Sequence, residues 1–257
     1  MIEFLKVAKN KTLLSELTYY ALNIGLAVAL LVLAITIQSI WPALVLVLLS
    51  KWRVFAVRPR FWWANLQANM VDIIVGFGTV MLMYQPKTTL AVQIFLAVAY
   101  AVWLAVIKPL SKPAHMLAQS AIALTIGTTA LLTMSSEWPQ IIVVIGMFVI
   151  GYSVARHFLF SYDESQIVLL SLIWGLLFAE VGWLAYQWTF SYPLPLVSPL
   201  RLPQATIILL LLSFVAERAY RSWKEHEQVM KSDVLAPATL ASALIAVILI
   251  FFNSVTI

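Results

Sequence analysis

Long apolar runs dominate the chain, and short polar or proline-bearing breaks divide them. Residues 17–50 carry no charge. As one helix they would measure about 50 Å, well beyond a hydrocarbon core of about 30 Å. Gln38-Ser39 followed by Trp41-Pro42 supplies a break, since proline suits a first helical turn and disfavours helix just before it. The pattern predicts a first span over about 18–36 and a short second one over about 40–56, which either crosses or is a re-entrant half-helix. Further spans follow over about 64–84, 89–107, 115–134, 140–157, 166–189, 204–221 and 237–255, the last beginning at Pro237. A proline-rich loop, 191–203, separates the seventh and eighth. Residues 2–14 alternate apolar positions with lysines and suggest a short interfacial helix.

The resulting fold class is an all-α polytopic transmembrane bundle of about nine spans, or eight if the second is re-entrant. The whole chain, 1–257, forms a single integral membrane domain, and no soluble domain fits between the spans. Composition agrees: 63% of residues are hydrophobic and 11% charged, with a mean hydropathy of +0.95, against about 25% charged in a soluble domain.

Charge adds an orientation. With the N-terminus inside, the inner side receives Lys6, Lys9, Lys11, Lys51, Arg53, Arg58, Arg60, Lys108, Lys112, Arg156, Arg218, Arg221, Lys224 and Lys231. The outer side receives Lys87 and Arg201. Fourteen against two is a strong positive-inside signal, and it implies N-in, C-out in a prokaryotic plasma membrane. The net charge of +5 therefore reflects span ends and no nucleic-acid partner. Lys51, Arg53, Arg58 and Arg60, running into Phe61-Trp62-Trp63, read as an interfacial clamp for anionic lipid headgroups.

The chemistry lies in polar residues placed where polarity is costly. Asn65, Asn69, Asp72, Gly76 and Thr79 recur at spacings of 4, 3, 4 and 3 and share one helix face. That face is either a packing seam or an ion or substrate path. Glu180 lies about 20 Å along the seventh span from its inner end, with Gln187 on the same face. An acid at that depth is a candidate proton-linked or cation-binding residue, or a hydrogen-bond donor to a neighbouring helix. Arg156, Glu217 and Arg218 fall at inner span ends, where Asp72–Arg218 and Glu217–Arg156 are the expected pairs. Trp103, Trp174 and Trp183 are expected to pack between helices.

Other chemistries lack their parts. The chain has no cysteine, and His115, His157 and His226 lack metal-ligand spacing, so no metal or cofactor is expected. Lys51…Arg58-Pro59 resembles the K-x6-R-P element of membrane phosphatases acting on lipid phosphates. The other two elements of that family are missing, because Pro113-Ala114-His115 and Arg156-His157 are poor substitutes at the wrong spacing. The expected function is a small transporter or lipid-handling permease with an intramembrane acidic site. A non-catalytic scaffold or accessory subunit with a protein partner in the membrane is the alternative, and a membrane enzyme acting on a lipid-linked substrate comes third.

Overall fold

The computed structural model describes residues 13–86, 88–135, 137–188, 190–194 and 197–252. The interfacial helix expected over 2–14 falls almost wholly outside these residues, as does Lys87. Among the described residues there are nine α-helices, of which seven are long and apolar enough to cross a membrane. They are α1 (Leu13–Thr36), α2 (Trp41–Leu49), α3 (Trp62–Met83), α4 (Leu90–Val102), α5 (Pro113–Met134), α6 (Gln140–Phe160), α7 (Ile167–Gln187), α8 (Gln204–His226) and α9 (Lys231–Phe251). The two outside the seven are α2 and α8. The first is short, and the second carries charge along its last turns.

Prolines open several helices: Pro42, as expected, and also Pro113 and Pro139 stand at or just before the first turn. Pro237 behaves differently. It lies inside α9, which starts at Lys231, several residues before the expected boundary. The second span is also corrected. Its helix stops at Leu49 and continues as two 3-10 turns, Trp52–Val54 and Pro59–Phe61. Nine residues of helix reach only about 13 Å. Val47 packs against Gly76, while Lys51 reaches Asp72, so α2 runs antiparallel to α3 and the turns complete the descent to its start.

The loop expected over 191–203 is a two-stranded antiparallel hairpin, β1 (Ser191–Leu194) with β2 (Val197–Pro203). Tyr192 pairs with Leu202 and Pro193 with Arg201. In a two-stranded ribbon every strand is an edge, so prolines that would break a central strand are tolerated. The hairpin is tied to α9, since Tyr192 donates to the Phe252 carbonyl at 2.9 Å.

The core runs through α1–α8, with Val47, Val75, Leu104, Leu124, Met147 and Phe178 among its fully buried side chains. Close approach depends on small residues. A Cβ on Gly151 would lie 2.5 Å from Phe178, which is how α6 and α7 come together.

Candidate functional site: a buried charge cluster and an apolar cavity

Asp72 sits near the middle of α3, and its side chain is 8% exposed. Its Oδ2 accepts from both Lys51 and Lys108. The Trp103 indole N–H donates to Oδ1 at 2.9 Å. The expected Asp72–Arg218 pair does not form. Lys51 arrives because α2 ends early and turns its next residues inward. It is 7% exposed, so it is buried against Asp72 and does not belong to the headgroup clamp expected of it, whereas Arg53, Arg58 and Arg60 are exposed.

Trp103 and Lys108 reach the same carboxylate through a local irregularity. Residues Trp103–Ile107 form a π turn, with the Lys108 N–H donating to the Trp103 carbonyl at 2.9 Å. Five residues apart on an α-helix, two side chains diverge by about 140°; the wider π turn closes most of that angle. Gln119 on α5 then satisfies the freed helix end. Its Nε2 donates to the carbonyls of Ile107 and Leu110, each at 2.8 Å, and its Oε1 lies 2.8 Å from His157 Nε2. These contacts put Asp72, about 15 Å along α3, level with the end of α4.

The rest of the α3 stripe bonds locally. Asn69 donates to the Asn65 carbonyl at 2.8 Å, and Thr79 to the Val75 carbonyl at 2.8 Å. Asn65 and Asn69 are half-buried, while Asp72 and Thr79 are buried. One turn beyond Asp72, a Cβ on Gly76 would lie 2.9 Å from the Tyr100 hydroxyl, which is buried without a hydrogen-bond partner.

A second feature lies between α5, α6, α7 and α8: a largely apolar cavity of about 590 Å³. Leu124, Phe158, Trp174 and Phe214 line its wall, and Ser213, Glu217, Arg218 and Arg221 its polar rim. Glu217 is buried and lies 2.8 Å from Arg221 Nη2 and 3.6 Å from Arg218 Nε. This replaces the expected Glu217–Arg156 pair: one turn along α8 places Arg221 beside Glu217 without help from α6. The rim is incompletely bonded. Ser213 Oγ and Arg218 Nε are buried atoms without a hydrogen-bond partner, as is Nη1 of the half-buried Arg156.

Below the rim, Glu164 in the α6–α7 turn latches α8. It accepts from Tyr220 at 2.6 Å, Lys224 at 3.0 Å and the Gln166 N–H at 3.1 Å. The Tyr220 hydroxyl first, then the Gln166 N–H and Lys224, lower its carboxyl to about 2. In the sequence Glu164 stands in the polar stretch Tyr162-Asp163-Glu164-Ser165, where nothing distinguishes it from its neighbours.

Glu180 and Gln187 share a face of α7 as expected, but it is the exposed one. No hydrogen bond or ion pair joins either side chain to another described residue. Trp183, expected between helices, is 55% exposed on the same face. A charged side chain at the centre of a membrane helix costs on the order of 3 kcal/mol, so this placement calls for a partner.

The architecture and the apolar helices place the chain in the class of multi-pass helical membrane proteins. No family model, curated protein or solved structure matches it.

Proposed function

We propose that the protein is a lipid-handling permease of a prokaryotic plasma membrane, oriented N-in and C-out, that takes an anionic amphiphile into the α5–α8 cavity. One observation carries this reading. The cavity of about 590 Å³ is walled by apolar side chains and ends in a rim of two arginines, one glutamate and one serine, where Ser213 Oγ and Arg218 Nε have no hydrogen-bond partner. Apolar pockets with a few convergent polar groups are the usual form of a small-molecule site. An acyl or prenyl chain suits the wall, and a single anionic headgroup suits the rim's excess positive charge. The rim's membership of the fourteen-residue inner basic set favours a headgroup drawn from the cytoplasmic leaflet. Nine crossings follow when α2 and its two turns are counted as one.

The test is lipid retention by the detergent-purified protein in native mass spectrometry. Short-chain phosphatidic acid is expected to be retained over phosphatidylcholine of equal chain length, and Arg218→Gln/Arg221→Gln is expected to abolish the preference. Equal retention of the two lipids by the wild type overturns the reading. Asp72 supports a second one, a membrane scaffold, because its carboxylate is fully engaged by three donors and looks like a lock between α2, α3 and α4. On that reading the rim variants leave lipid retention unchanged.

A further inference from the structure

The walls of the α5–α8 cavity are not equally covered. None of its lining residues on α5 and α6 is exposed, and Ser120, Leu124, Val154 and Leu159 are buried. On the opposite side Ile173 of α7 is 53% exposed, and Leu210 and Phe214 of α8 are 38% and 42% exposed. The uncovered side is therefore the gap between α7 and α8. That gap is tied at both ends. At one, Glu164 accepts from Tyr220 and Lys224. At the other, the Gln204 N–H donates to the Phe190 carbonyl at 2.8 Å. Between these ties α7 and α8 flank an opening with apolar edges.

From Leu210 to Arg221, α8 rises about 16 Å, about half of a hydrocarbon core of about 30 Å. The cavity is thus as deep as one leaflet, with its charged groups at one end. Those groups are not equivalent. Arg221 is engaged by Glu217 at 2.8 Å, whereas Arg218 Nε has no hydrogen-bond partner. The Arg218 guanidinium lies over the Phe214 ring, 5.4 Å from its centre, and so stands at the charged end of the opening. We propose that a phospholipid enters the cavity sideways from the bilayer through the α7–α8 opening, with one acyl chain inside and its phosphate on Arg218. The inference rests on the lipid-handling reading above and adds the route and the seat of the headgroup. A volume of about 590 Å³ suits one chain, and the open side lets the other chain stay in the bilayer. A guanidinium matches a phosphate with paired N–H donors. A soluble phosphate ester would use the same donors but gains nothing from the apolar wall.

Phosphatidic acid carrying a diazirine midway along one chain, in vesicles holding the purified protein, tests the route by photolabelling and peptide mass spectrometry. Residues 170–174 and 210–214 are expected to be labelled several-fold more than residues 238–242 of α9, which include Leu240 at 59% exposed. Ile173→Trp, at the edge of the opening, should lower cavity labelling several-fold. Leu176→Trp, one turn on and outside the cavity lining, should leave it unchanged. Arg218→Gln should lower it about tenfold, through loss of a charged hydrogen-bonding group. Excess glycerol 3-phosphate should give no protection. Labelling of α9 equal to that of the cavity, equal loss in Leu176→Trp, labelling undiminished in Ile173→Trp or Arg218→Gln, or protection by glycerol 3-phosphate each overturns the proposal. Selective retention of phosphatidic acid without cavity labelling overturns the lateral route alone, whereas absence of selective retention overturns the reading on which it rests.

Discussion

Asp72→Asn isolates the charge of the buried cluster from its shape. Asparagine keeps the size of the side chain and an oxygen for the Trp103 indole N–H, so packing and that hydrogen bond survive. What disappears is the single negative charge shared by two ammonium groups. Lys51 is then left with a 6% exposed side chain beside Lys108, whose side chain is 34% exposed. Removing one partner of a buried ion pair costs about 3–5 kcal/mol, because the remaining charge has lost its compensation. With roughly 2–4 °C per kcal/mol for a chain of this size, the melting temperature should fall on the order of 10 °C.

Thermal unfolding of the detergent-purified protein, followed by tryptophan fluorescence, reads this shift. Two further variants give the rank order that the geometry requires. Lys108→Gln leaves a one-to-one Lys51–Asp72 pair and removes a half-screened cation, so it should cost less than about 1 kcal/mol. Lys51→Met/Asp72→Asn removes both buried charges and should recover most of the loss, as replacement of a buried pair by apolar groups usually does. The reasoning is refuted if Asp72→Asn melts within about 2 °C of the wild type, a shift worth roughly 1 kcal/mol or less, or if Lys108→Gln costs as much as Asp72→Asn.

Two other perturbations follow from single contacts. Tyr100→Phe removes a hydroxyl that is buried without a partner, so unfolding should show a gain of about 1 kcal/mol where most core substitutions lose stability. Glu164→Gln should loosen the hold of the α6–α7 turn on α8, with the loss confined to higher pH. A carboxyl held at about 2 against an ordinary 4.5 contributes fully above the ordinary value and loses its contribution as pH falls from 4.5 toward 2. Melting curves of wild type and variant should therefore differ at pH 7 and converge near pH 2; a constant difference across that range would contradict the latch.

The apolar runs and their proline breaks made most spans legible, because length and hydropathy alone decide whether a segment can cross a bilayer. Asp72 was legible too, as a charge where charge is costly. Its partners were not. Lys51 stands beside Trp52 and Arg53 and has the sequence context of a side chain that snorkels, and nothing in the aliphatic run Leu44-Val-Leu-Val-Leu-Leu49 marks where α2 stops. Lys108 depends on a π turn, a local change of pitch with no signature in Trp103-Leu-Ala-Val-Ile. The hairpin was hidden by its prolines, which edge strands tolerate and central strands do not.

Glu180 is a different case, since its depth was read but not its direction. The direction was available. Ser171, Gly175, Gly182 and Ala185 are small and fall on one side of α7, and small residues mark the face where helices approach closely. Glu180 stands on the opposite side, among Ile173, Leu176 and Trp183. The small residues thus fix which side of α7 packs on α6, and Glu180 falls on the other side by exclusion.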